Sequence, residues 1–203
     1  MSTICTVILA AGVSRRLGFN KLTVRIDSEA VIRRAATPFA EAALGEVIVV
    51  AGSDVSPVAS ALDGLNVRVI RNKDHQKGMS TSVKASLPWI RDAEAVFFHL
   101  GDKPFVRKEL LSDMLEQYHK TQKSIIIPVY EGMKGHPVLM RLDPYRKEME
   151  GLDGDKGLRE VIEKYSTDVL FIEGDEDILF DIDTPEDIEI LRKRGYRVEK
   201  GQG

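Results

Sequence analysis

Several stretches of this 203-residue chain carry side chains suited to phosphate chemistry. The first reads Leu9-Ala10-Ala11-Gly12-Val13-Ser14-Arg15-Arg16-Leu17-Gly18-Phe19-Asn20-Lys21 and follows the apolar run Ile4–Ala10. Small residues let backbone approach a ligand closely, and free N–H groups together with Arg16 and Lys21 can grip a polyphosphate. The spacing is neither the G-x-G-x-x-G of a dinucleotide loop nor a Walker A loop, because Phe19 follows Gly18. A small-residue turn with solvated basic residues stands as the alternative.

Two carboxylate stretches come next. His99-Leu100-Gly101-Asp102-Lys103-Pro104 puts an aspartate just after an apolar run, where its oxygens suit a hard cation such as Mg²⁺. A turn or helix-capping aspartate fits equally well. In Phe180-Asp181-Ile182-Asp183-Thr184-Pro185, a strand end would point Asp181 and Asp183 to one side. Asp183 or Thr184 could instead cap the helix that Pro185 begins, and the two roles can fall on different residues. Gly78-Met79-Ser80-Thr81-Ser82 opens a helix with hydroxyls that can read a base or ribose, or serve as an ordinary N-cap.

These residues need a scaffold that gathers them. The apolar runs 4–10, 46–52, 66–70, 95–100 and 124–130 read as strands, and they alternate with helices over 28–43, after Pro57, and over 79–90 and 107–120. Beyond Tyr130 comes a glycine- and proline-punctuated stretch, then helix, strand and a final helix from Pro185 to Lys193, with residues 199–203 expected to fray. Continuous apolar strands alternating with helices give an α/β fold with a mostly parallel sheet covered on both faces. Such sheets put their sites beyond the carboxyl ends of the strands.

Composition narrows the function classes. The net charge of -3, with both signs intermixed, excludes a nucleic-acid or membrane-surface footprint. No apolar stretch approaches the roughly 20 residues of a membrane span, so a cytoplasmic chain is expected. Cys5, alone of its kind, sits in the first apolar run and reads as core. His75, His99 and His119 have no constellation around them, and Trp89 reads as core.

The pattern Leu-Ala-Ala-Gly-x-Ser-x-Arg-x-Gly-x-x-Lys resembles the signature of the MobA-like nucleotidyltransferases, most nearly the branch with molybdenum cofactor cytidylyltransferase. Gly-Asp-x-Pro at 101–104, Asp-x-Asp-Thr-Pro at 181–185, Gly-His-Pro-Val at 135–138 and Gly-Asp-x-Gly-x-Arg at 154–159 extend the resemblance along nearly the whole chain. It implies one domain over 1–203 with a three-layer α/β/α, Rossmann-like sheet of the nucleotide-diphospho-sugar transferase type. Residues 1–105 would form a nucleotide-binding half and 106–198 an acceptor-binding half. It further implies Mg²⁺ on Asp102 and Asp183, with Asp181 a lesser helper, and Arg16, Lys21 and Asp102 as catalytic residues. The nucleotide would meet Leu9, Ala10, Ala11, Gly12, Ser14, Arg16, Lys21, Gly78, Ser80 and Ser82, and the acceptor would meet Gly135, His136, Asp155 and Arg159.

The implied reaction moves CMP from CTP to the phosphate of molybdenum-bearing molybdopterin, with a molybdoenzyme or its chaperone downstream. CTP is favoured because the guanylyl branch tends to have a second glycine where this chain has Ala11. Guanylyl transfer, a sugar or polyol phosphate acceptor, and a non-enzymatic cofactor carrier are the alternatives. Two departures stand out. Lys103 replaces a common glutamine and could add a phosphate contact, and Asn72-Lys73-Asp74-His75 replaces Asn-Pro-x-Trp.

Overall fold

The run Ile4–Ala10 forms strand β1, and its residues are buried on both faces because helices cover the sheet from either side. The structure is a computed structural model describing residues 3–12, 14 and 16–201. Val13 and Arg15 of the first loop, and Gln202 and Gly203 of the tail expected to fray, lie outside the described residues. After β1 come β2 (Arg25–Ile26), β3 (Glu29–Ala30), α1 (Val31–Ala42), β4 (Val47–Ala51), α2 (Ser56–Ala61) and β5 (Arg68–Arg71). Then follow α3 (Met79–Ser86), β6 (Ala95–Leu100), α4 (Lys108–Lys120), β7 (Ile125–Tyr130), β8 (Met133–Lys134) and β9 (Val138–Arg141). The chain ends with α5 (Arg146–Gly151), α6 (Arg159–Lys164), β10 (Val169–Glu173), α7 (Pro185–Lys193) and β11 (Val198–Glu199).

The main sheet has the order β10-β7-β9-β6-β1-β4-β5, with β8 paired to β7. β1 lies between β6 and β4 and is parallel to both, in register at Val7↔Phe98 and Val7↔Ile48. Alternation of side chains splits the core into two layers. Val7, Ile48, Val50, Val96 and Phe98 pack under α3, α5 and α6 with Val83, Tyr145, Met149 and Val161. Ile8, Val49 and Phe97 pack on the other face with Ile32 and Phe39 of α1 and Leu111 and Met114 of α4. Each such fully buried aliphatic or aromatic side chain contributes about 1.5–3 kcal/mol. The expected three-layer, mostly parallel fold is therefore present, with strands from the first half of the chain on one side of the sheet and β7, β9 and β10 on the other.

The structure departs from the sequence reading in particular places. β9 inserts antiparallel between β6 and β7, where four apolar-rich residues amid glycine and proline gave no strand signal. The helix expected from Ser28 begins only at Val31, because Asp27 and Ser28 take positive φ (50° and 72°) in a two-residue hairpin joining β2 to β3. Val198 and Glu199 do not fray: β11 pairs with β2 and closes a three-stranded sheet. That sheet and α7 enclose a third small core of Leu17, Val24, Ile26, Ile182 and Leu191. The helix from Met79 stops at Ser86, because Pro88 falls in a following 3₁₀ turn. Trp89 on that turn is 45% exposed, under the Arg68 guanidinium, and is not core. Cys5 is buried as expected. Among the described residues no helix is long and apolar enough to cross a membrane.

Candidate active site

β1 and β6 run side by side, so the loops leaving their carboxyl ends meet. Gly101 makes the approach close: its N–H donates to the Leu9 carbonyl at 2.9 Å, and a Cβ there would lie 2.8 Å from Ile32 and 3.1 Å from Ala10. Asp102 follows directly. In the loop after β1, Ser14 Oγ accepts from the Lys21 backbone N–H at 2.9 Å, and Asn20 caps the short turn Lys21–Thr23. Lys21 is thereby aimed inward although it ends a loop, and it is only 9% exposed.

The third contributor comes from far along the chain. Ile182 N–H donates to the Asp102 carbonyl at 3.1 Å, laying residues 181–183 along the Asp102 turn. This segment is not a strand. α7 fixes its far end through a capping box, in which Thr184 Oγ1 accepts from Asp187 N–H and Asp187 Oδ2 accepts from the N–H groups of Asp183 and Thr184. The capping role thus falls on Thr184 and Asp187, and the Asp183 carboxylate stays free for other partners.

Those partners are cations. Lys21 Nζ donates to Asp102 Oδ2 at 2.5 Å and to Asp183 Oδ1 at 3.1 Å, and Arg16 donates to Asp183 Oδ2. Burial alone would lower the Lys21 pKa, but the Asp102 and Asp183 carboxylates reverse this and hold the ammonium above its ordinary value. The hydrogen bond from Lys21, with Arg16 nearby, holds Asp183 below the usual carboxylate range. Asp181 moves the other way, raised mainly by burial.

Among the described residues no group of three or more His, Cys, Asp or Glu converges as a metal site. The donor set nonetheless fits a hard divalent ion. Asp102 and Asp183 already converge on one positive centre, the Lys21 ammonium, and a Mg²⁺ site normally needs only one or two carboxylates plus substrate phosphate oxygens and water.

A cavity of about 390 Å³ opens beside this cluster. Leu9, Ala10, Ala11 and Gly12 line it together with Lys21, Gly78, Ser82 and Asp102, so these sequence candidates share one cavity. A second hollow beyond Ala11 and Gly12 takes in Ser14 and Asn20. Ser80 lines neither hollow. It is fully buried, its N–H donates to Gly154 O and its Oγ to Asp153 O. Ser82 accepts from Asn72 Nδ2 at 3.0 Å, so the altered 72–75 stretch still braces α3.

His75 and Gln76 line both hollows and went unseen in the sequence, where His75 read as structural or solvated. Their place three and two residues before Gly78 was the available signal. Asp155, expected with the acceptor residues, lines the same cavity as Lys21.

The remaining acceptor residues do not join the cluster. Gly135 is buried, and a Cβ on it would meet Ile178 at 2.4 Å, so it is a packing glycine. His136 lies 6.3 Å, ring to ring, from His99. Arg159 is exposed at the start of α6 and lines neither hollow. His99 is buried, with Nε2 against the Lys103 carbonyl at 3.0 Å, and burial pushes its pKa down to about 3. Burial, followed by the Lys103 charge, takes His136 to about 4. Lys103 turns into the protein: its ammonium donates to Leu179 O at 2.6 Å and lies 3.9 Å from Asp181, and it lines neither hollow.

The chain matches a family model described as the MobA-like NTP transferase domain over residues 6–169. It is 26% identical over 198 residues to a molybdenum cofactor cytidylyltransferase of Escherichia coli, covering 96% of this chain and 98% of that protein. It is 27% identical over 203 residues to a probable molybdenum cofactor guanylyltransferase of Natranaerobius thermophilus, covering 94% and 95%. Among solved structures it resembles Rv0371c of Mycobacterium tuberculosis in complex with manganese, with a TM-score of 0.76 at 25% identity over 95% of this chain and 99% of that one.

Proposed function

We propose, for a chain that belongs to the MobA-like NTP transferase family and is a nucleotidyltransferase, that it moves CMP from CTP to the phosphate of molybdenum-bearing molybdopterin and releases pyrophosphate. The observation that carries this reading is the Lys21 ammonium held between Asp102 and Asp183 at the edge of a cavity floored by Leu9–Gly12. A terminal phosphate oxygen of the acceptor attacks the α-phosphorus in line, and pyrophosphate leaves. The nucleophile is already anionic, so no side chain need remove a proton. The residues therefore act by position and charge, as in other phosphoryl transfers.

Lys21, fully charged, offsets charge building on the α-phosphate and leaving group, and Arg16 adds a second cation from the solvent side. Ala11 and Gly12 line the cavity, and their small size lets phosphate oxygens approach the backbone where a larger residue would keep the ligand away. Asp102 and Asp183 would hold Mg²⁺, which when bound neutralises phosphate oxygens and orients them. With those carboxylates so engaged, Lys21 would be released to the phosphates.

CTP is favoured by Ala11, whose methyl group narrows the cavity at the position where guanylyl branch members tend to have glycine. The molybdopterin acceptor is supported by the name shared by both curated relatives. Guanylyl transfer is the second reading, favoured by the guanylyltransferase relative at 27% identity against 26% for the cytidylyltransferase. The test is pyrophosphate release with Mg²⁺ and each of CTP, GTP, ATP and UTP, with and without molybdenum-loaded molybdopterin. Release requiring CTP and the pterin is the expected result. Release with GTP moves the chain to the second reading, and none with any nucleotide overturns both.

A further inference from the structure

We infer that Asp155 belongs to the nucleotide side of the cleft, where its carboxylate accepts a hydrogen bond from the nucleoside and not from the acceptor. This rests on the nucleotidyl-transfer reading above. The stretch Leu152–Leu158 is sewn to the start of α3. Ser80 supplies both threads, its N–H to Gly154 O at 3.1 Å and its Oγ to Asp153 O at 3.0 Å, and it is wholly buried while doing so.

Gly78 makes the approach possible. Its φ is +111°, and a Cβ there would lie 2.4 Å from Gly154 O and 2.8 Å from Asp155 Oδ1. The glycines at 154 and 157, with φ of +65° and +54°, turn the loop so that Gly157 rests against Met79. Asp155 is thus delivered to the wall of the cavity that also holds Gly78 and Ser82. Among the described residues it has no ion-pair partner, and Lys156 beside it turns to Glu160.

An unpaired carboxylate is repelled by a triphosphate, which on that reading lies at Lys21, elsewhere in the same cavity. It is matched by the neutral, donor-bearing part of the nucleotide, either the ribose hydroxyls or an exocyclic amine. A hydrogen bond to a charged acceptor is worth about tenfold to a hundredfold in affinity.

The experiment is calorimetric titration of CTP with Mg²⁺, without acceptor, into the wild-type chain, Asp155→Asn and Asp155→Ala, with GTP in parallel. UTP, which lacks the amine, and 2′,3′-dideoxy-CTP, which lacks the hydroxyls, form the comparison arms. Both variants should bind CTP at least tenfold more weakly than wild type. The analogue for which wild type and variant no longer differ names the donor. Unchanged CTP affinity in both variants overturns the inference. A wild-type chain that binds no nucleotide instead overturns the transferase reading itself.

Discussion

The loops after β1 and β6 each place a buried lysine near Asp102, and the two lysines live in opposite conditions. Lys21, 9% exposed, is clasped by Asp102 and Asp183 and held above its ordinary pKa. Lys103, 8% exposed, meets a backbone carbonyl and a more distant Asp181, and burial pushes it below its ordinary value. The first ammonium can move from carboxylates to phosphates. The second is committed to Leu179 O and ties the Asp102 turn to the segment that carries Asp183. Similar burial therefore gives one lysine that the proposed function uses for chemistry and one that holds position, and the difference lies in whether two carboxylates are within reach.

The largest effect expected is from Lys21→Met. Losing one charge-stabilising contact typically costs about 100-fold or more in kcat. The same change removes the cation that Asp102 and Asp183 share, leaving Arg16 on Asp183 alone, so Mn²⁺ should bind the nucleotide-free variant more tightly than wild type. Steady-state kinetics and Mn²⁺ titration check both halves. A variant that loses turnover without gaining cation affinity would show that Lys21 does not compete for that position.

Asp183→Asn should come next. It keeps the shape and the backbone bond to Asp187 but removes a charge, and turnover should fall about tenfold to a hundredfold while the fold is kept. Thr184→Ala removes only the cap, at about 1 kcal/mol of stability, and separates the two roles at this corner.

Lys103→Gln and Lys103→Met sharpen the comparison at smaller scale. Glutamine can still donate to Leu179 O and should stay within a few-fold of wild type. Methionine leaves that carbonyl and Asp181 unpaired, costing about 1–3 kcal/mol of stability and raising KM for Mg²⁺ more than it lowers kcat. Thermal melts and Mg²⁺ dependence read this out. If Lys103→Met matched Lys21→Met in kcat, the division between the two lysines would fail.

The same contrast explains what the sequence made legible. Lys21, Asp102 and Asp183 were found because each sits in a compact motif beside a strand end or helix start, and parallel strands bring such ends together. Gly135, Arg159 and Ser80 were harder, since their roles depend on which distant backbone they face. Ser80 looks like a base-reading hydroxyl until Gly154 and Asp153 are seen to take both its bonds. Lys103 gives no sign in the sequence of the Leu179 carbonyl that its ammonium meets. β9 and β11 were missed because each is short and is made a strand by its neighbour, β6 or β2, more than by its own pattern.

A pH-dependent effect lies behind Lys103. The partner of His99 Nε2 is a carbonyl, so that nitrogen carries the proton and Nδ1 is left buried without a partner, as is Nδ1 of His136. Folded values of about 3 and about 4 lie below the ordinary 6.5. The unfolded chain therefore takes up protons as pH falls below about 6.5, while the folded chain resists until about 4. Stability is complete above that window and drains as pH falls through it, by at most about 1.4 kcal/mol per pH unit for each histidine. Asp181, raised by burial, opposes the trend in part. His99→Phe keeps a ring against Phe39, 5.2 Å away in the native chain, and removes one titrating group. Its urea midpoint should fall less between pH 6.5 and 4.5 than that of the wild type, and parallel declines would show that the acid sensitivity comes from the carboxylates instead.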